Sequence, residues 1–225
     1  MFGIKHFCSL GTLCHPTRMM QRLHIKPVSY PFDWIFCDED IIVDVLEDDF
    51  NKFMDKSYYL DLKNNFNDPS FGCGHSYYHE DFFFHKNPRN EEHYAYYQRC
   101  IDRFKKMLKV YDEKMFIMMY TPETTQHPKD VYQLFENGMS KEDIISNIKS
   151  RVIKLNETLR KHTSNFILLV IINFGDNTEQ TFKMEHLENI HYLTLNTLSH
   201  STGVTFRNNA DNLFLSGIVC EHYFK

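Results

Sequence analysis

The chain is poor in residues that interrupt regular structure, with eight glycines and seven prolines in 225 positions. That scarcity excludes collagen-like order and low-complexity disorder and favours long regular elements. Basic residues are outnumbered, 25 Lys and Arg against 30 Asp and Glu, for a formal net charge of -5 and a pI near 6.2. Such a balance supplies no bulk field for capturing nucleic acid or an anionic membrane, so neither is expected as a partner. The longest strongly apolar stretch, residues 166–172, falls far short of the roughly 20 residues of a membrane-spanning helix. Residues 1–6 (Met-Phe-Gly-Ile-Lys-His) show neither a basic segment followed by an apolar run nor a small-residue cleavage site, so a cytoplasmic, intracellular setting is expected.

Several motifs are also missing. There is no glycine-rich dinucleotide fingerprint, no P-loop and no Gly-x-Ser-x-Gly elbow, which disfavours NAD, Walker-type ATP chemistry and a serine nucleophile. No cofactor is expected. Cys8, Cys14, Cys37, Cys73, Cys100 and Cys220 are scattered along a chain long enough to bury a core without staples, so they read as reduced thiols. What is plentiful is aromatic: 20 Phe and 13 Tyr within a 42% hydrophobic composition. This predicts a ring-packed core in one domain spanning residues 1–225.

Hydrophobic periodicity predicts strands at residues 4–10, 115–120, 166–172 and 190–195, and helices at 18–24, 39–53, 91–109, 140–161 and a closing segment from 208 to 219. Residues 28–34 read as extended, because Tyr30 precedes a proline. Ser140 with an acid three positions later fits a capping box. Residues 62–90 read as an irregular insert, marked by Asn64-Asn65, Asp68-Pro69, Gly72-Cys73-Gly74 and Asn87-Pro88. Strands alternating with helices imply crossover connections, hence an α/β, three-layer, Rossmann-like domain with a mostly parallel sheet. Ligands in such sheets sit at the carboxyl ends of strands.

The first such turn, residues 9–14 (Ser-Leu-Gly-Thr-Leu-Cys), puts a thiol at a helix start, where unpaired N–H groups and the positive dipole end stabilise a thiolate. The plainer reading of Cys14 is a small residue packing the first helix. Ser9, Gly11 and Thr12 are candidate anion-binding residues in the same turn. Arg99 and Arg103, four apart, are placed to clamp a phosphate or to act as ion-paired surface charges. Asn173, after the strongest strand, reads either as a ligand-holding residue or as a turn former, and Asp211 as a weaker acid of the same kind. His75, His79 and His85 lie near Cys73, but their spacing matches no standard zinc site, so no metal is expected.

Taken together, Ser9-Leu10-Gly11-Thr12-Leu13-Cys14, Tyr30-Pro31-Phe32-Asp33-Trp34, Phe84-His85, Tyr97-Gln98-Arg99 and Arg103-Phe104 resemble the DUF1796 family, labelled as papain-like cysteine peptidases. The resemblance implies Cys14 as nucleophile, His85 as base and Asp33 as an orienting or structural acid. Lys86 stands where the family usually carries an acid after the histidine. Papain-like enzymes set the cysteine helix beside a β-barrel-like half, whereas the periodicity here predicts a parallel α/β sheet. Two functional expectations follow. One is a cysteine-dependent hydrolase or acyl-transfer enzyme acting on a small-molecule, glycan or peptide substrate. The other is a phosphate-, nucleotide- or nucleotide-sugar-binding protein in which the thiol is incidental.

Overall fold

In chain order the elements are β1 (His6–Ser9), α1 (His15–Arg22), α2 (Glu39–Glu47), α3 (Asn51–Met54), a 3-10 turn (Lys56–Tyr58), β2 (Tyr59–Leu60), β3 (Gly74–His75), α4 (Glu91–Lys109), β4 (Lys114–Tyr120), α5 (Lys141–His162), β5 (Phe166–Phe174), β6 (Thr181–Leu187), β7 (Ile190–Asn196) and α6 (Asn209–Tyr223). The computed structural model describes residues 3–61, 72–122 and 138–224, which fall into two units. Residues 3–28, 110–122 and 164–224 form the first, and 29–61, 72–109 and 138–163 the second. The fold is α/β with a mostly parallel central sheet. No helix among the described residues is long and apolar enough to cross a membrane.

The first unit holds a five-stranded sheet in the order β1-β4-β5-β7-β6. The first four strands are parallel and β6 returns antiparallel to β7. Every residue of β4 and β5 is buried, the state in which strands read as continuous apolar runs rather than alternating ones. Met115, Ile117, Met119, Ile167, Leu169 and Ile171 form one core with Met19 and Met20 of α1 and Leu215, Ile218 and Val219 of α6. The parallel strands follow one another in chain order, so no reversal of strand order marks a crevice of the kind that locates ligands in doubly wound sheets. β6 escapes sequence detection because it is largely solvent-facing and carries no apolar run. Lys114, fully buried at the start of β4, spends its ammonium on the carbonyls of Val110 (2.6 Å), Asp112 (2.8 Å) and Ser164 (3.2 Å). A buried cation is tolerated when it is hydrogen-bonded in this way.

The second unit is built on rings. Phe53 meets Phe83 at 5.1 Å and Tyr97 at 5.7 Å, and Phe32 meets Phe104 at 5.6 Å, all at steep edge-to-face angles. Such pairs contribute beyond their buried area. The aromatic load is therefore core material here. The expected helix over 39–53 is broken into α2 and α3, because Asp49 (φ 52°) and Phe50 (φ 66°) are both left-handed. The reversal brings Phe50 against Phe32, Phe53 and Phe104, a burial that offsets the strain of a bulky residue at positive φ. Residues 31–34 form a turn instead of the extended segment expected. Arg151 of α5 ties that helix to the start of α2 through Asp38 (2.9 Å), Asp40 (3.1 Å) and Glu39 (3.4 Å). Ser140 caps α5 as its sequence predicts, accepting from the N–H of Asp143.

Of the predicted insert, residues 62–71 lie outside the described residues. Residues 72–90 carry only β3 and an isolated pairing of Cys73 with Phe83. A Cβ added to Gly74 would lie 2.3 Å from the backbone oxygen of Glu80, so Gly74→Ala is expected to cost roughly 2 kcal/mol or more. Gly217 sits inside α6 with nothing within 4 Å of an added Cβ. There the same substitution is expected to stabilise by about 0.5–1 kcal/mol. Paired urea melts of the two variants check both signs.

Candidate functional site

At the carboxyl edge of the first unit's sheet, β1 ends at Ser9 and the chain continues its ladder for one more bond, from Leu10 N–H to Ile117 O (3.0 Å). Gly11 (φ 81°) and Thr12 (φ 66°) then turn left-handed. The Thr12 hydroxyl takes over as a strand substitute, donating to Met119 O (2.6 Å) and accepting from Met119 N–H (3.1 Å). A β-branched residue at positive φ is strained, and these two bonds hold it there. Ser9 turns its hydroxyl inward to accept from Gly11 N–H (3.3 Å). Both hydroxyls expected to meet a ligand thus serve to shape the turn.

That shape delivers Cys14 to the N-cap position of α1, where its side chain makes no capping hydrogen bond and its carbonyl accepts from Arg18 N–H (3.0 Å). The first turn of α1 contains no acidic residue, and Pro16 occupies one of its positions. Cys14 is buried, as are all the cysteines except half-buried Cys220, and none forms a disulfide. Beside it, His15 is buried, with Nδ1 2.9 Å from the Ser201 hydroxyl and its ring edge-on to Phe206. Burial, assisted by the charge of Arg22, lowers its pKa to about 3, so the imidazole is neutral. Ser201 in turn accepts from Gly203 N–H (3.0 Å).

The neighbouring turns are tied to the same edge. Asn173 lies inside β5 rather than after it, buried, with its side-chain oxygen accepting from Thr197 (3.0 Å). Asp211 is fully buried and accepts four hydrogen bonds: from Gln180 Nε2 (2.7 Å), Leu198 N–H (3.0 Å), Ser199 N–H (2.9 Å) and the Ser199 hydroxyl (2.7 Å). Asp176 pairs with His200 at 2.6 Å. Sequence reading missed Ser201 and the anchoring role of Asp211. No local pattern signals either, because their partners are distant in sequence.

The other candidates belong to the second unit. Asp33 is fully buried and accepts from Tyr30 N–H (2.8 Å), closing the turn that carries Pro31 and Phe32. His85 is half-buried, edge-on to Trp34 (5.6 Å) and Phe84 (5.2 Å), and burial lowers its pKa. Lys86 lies over the ring of Tyr96 at 4.6 Å. Arg99 and Arg103 do not converge. Arg103 donates to Ser29 O (3.0 Å) and lies against Cys100, whereas exposed Arg99 borders a hollow with Asp49, Gln98, Asp102 and Lys105.

The histidines near Cys73 have structural work. The Nε2 of His75 faces Lys52 O at 3.0 Å while its Nδ1 accepts from Tyr78 N–H at 3.3 Å, and His79 makes the equivalent pair with Phe36 O (2.6 Å) and Asp81 N–H (3.3 Å). Those contacts assign the proton to Nε2 in both rings. Burial pushes the Cys73 thiol up to about 12, which opposes the thiolate a metal ligand requires. Among the described residues no group of three or more His, Cys, Asp or Glu could hold a metal ion.

No curated protein and no solved structure matches the chain. A family model does, over residues 5–174, and its description is "Putative papain-like cysteine peptidase (DUF1796)". The matched span contains Cys14, Asp33, His85, Arg99, Arg103 and Asn173. The chain belongs to the DUF1796 family.

Proposed function

We propose that this protein is a thiol hydrolase of the papain-like peptidase class, in which Cys14 attacks an acyl carbon of the substrate and His85 moves the proton. Asp33 takes the structural part, holding its turn through Tyr30. The observation that carries this reading is the location of Cys14. It stands at the N-cap of α1, one residue beyond the left-handed pair Gly11 and Thr12, with the first turn of the helix free of acidic side chains. The dipole end of a helix stabilises a thiolate, and only the thiolate is an effective nucleophile. Family membership and the neutral His85 support the same assignment, since a base must be unprotonated before it accepts. The reaction breaks the acyl bond, transfers the acyl group to Cys14 Sγ and then to water, and returns the proton through the base. Its scaffold is an α/β fold with a mostly parallel sheet. The Cys–His pair recurs on unrelated folds.

The phosphate-binding alternative has weaker support. The Ser9 and Thr12 hydroxyls are committed to the protein's own backbone, and Arg99 and Arg103 diverge.

The pH dependence of alkylation, read by peptide mass spectrometry on the native protein, tests the proposal. Cys14 is expected to react as a thiolate well below pH 8 and to lose that behaviour in His85→Ala. Cys220 serves as the accessible control, and Cys73 and Cys100, whose thiols burial pushes up, as inert ones. A Cys14 that is inert, or that titrates like a model thiol at about 8.5, would remove the nucleophile from the proposal.

A further inference from the structure

β6 is an edge strand. Among the described residues its one sheet neighbour is β7, and its residues Thr181 to Leu187 are exposed or half-buried throughout. Among the described residues no strand is paired to the other side of β6, and an edge of this kind is the usual template for strand addition. Proteins commonly blunt such an edge with a lysine. Here Lys183 is present, but Glu185 follows two residues later on the same face and pairs with it at 2.6 Å. On the other face Phe182 contacts Phe214 and His222 of α6, and Met184 packs against the core.

We infer that β6 pairs antiparallel with β6 of a second copy of this chain, about a two-fold axis through Met184. Side-chain and hydrogen-bond alternation admit only registers that set residues of like parity opposite each other, so the axis must pass through a residue. An axis at Lys183 sets lysine against lysine, and one at Glu185 sets glutamate against glutamate. At Met184, Lys183 of each copy lies opposite Glu185 of the other, Phe182 lies opposite His186, and all seven strand residues are used. Opposite charges directly across a pair stabilise it, and like charges oppose it. The pairing is isologous and joins two five-stranded sheets into one of ten. Phe182 (44% exposed) and Leu187 (48%) would lose solvent along with the strand edge.

Sedimentation velocity over a concentration series tests this on the whole chain. The wild type is expected to dimerise. Lys183→Glu and Glu185→Lys should each weaken self-association by roughly tenfold or more, because both cross-strand pairs become repulsive. Neither residue is buried, so folding should survive, as circular dichroism would show. Mixing the two single variants sets an all-acidic strand against an all-basic one and should restore the dimer, as should the double variant combining both changes. A monomeric wild type overturns the inference. So does a dimer that ignores both substitutions, or one whose loss the mixture fails to repair.

Discussion

Acidification from pH 7.5 to 5 is expected to destabilise the protein by several kcal/mol, with the loss beginning near pH 6.5. His15, His75 and His191 are all buried, and burial lowers their pKa values from 6.5 to about 3, 4 and 4 respectively. Above pH 6.5 these rings are neutral folded or unfolded and stability does not depend on them. Below it the unfolded chain binds protons that the folded chain refuses, so stability falls with pH until the folded-state values are reached. At pH 5 each such ring costs about 2 kcal/mol, from 1.36 kcal/mol per pH unit. Three together, about 6 kcal/mol, fall within the range of a typical total stability of roughly 5–15 kcal/mol. Thermal melts from pH 7.5 to 4.5 measure it, and His191→Gln should flatten the curve by about a third. A melting temperature independent of pH between 7 and 5 would mean that these rings are protonated in the folded state.

Asp211→Ala is expected to cost about 4 kcal/mol at neutral pH. The carboxylate satisfies two backbone N–H groups, a hydroxyl and an amide, and the fully buried site offers no solvent to replace it. Asp211→Asn should cost less but still substantially, because one carboxylate oxygen becomes an NH2 group facing donors. The effect should also be local. Residues 197–201 lead from β7 to Ser201, the partner of His15, so their amides should exchange faster in the variant. Urea denaturation and hydrogen exchange together check this; a loss below 1 kcal/mol would show that the four donors find other acceptors.

The strands readable from sequence are those whose burial is complete or nearly so, and the helices are those with one periodic apolar face. β4, β5 and β7 show uninterrupted or nearly uninterrupted apolar burial, and α4 runs over the residues its periodicity predicts. Where a segment is half-exposed or its direction is set by distant partners, the local pattern misleads. β6 has no apolar run to announce it, and the helix expected over 39–53 breaks because Phe50 gains more by joining the ring cluster than by staying helical. Residues 31–34 turn because the Asp33 carboxylate holds Tyr30 N–H.

The site divides in the same way. That Cys14 stands at a helix start follows from a glycine turn between an apolar strand and a helical pattern, all within about ten residues of one another. Sequence by itself determined the α/β alternation, the helix-start thiol and the family membership carried by residues 5–174. The tertiary structure alone decided what surrounds them: that Thr12 closes on Met119, that His15 rests neutral against Ser201, that Asp211 pins the turn after β7, and that Arg103 is spent on Ser29. The physical reason is range. Periodicity and capping act over three or four residues, whereas a buried polar group takes whichever partner the folded chain brings within 3 Å, from 107 residues away for Thr12 and 186 for His15.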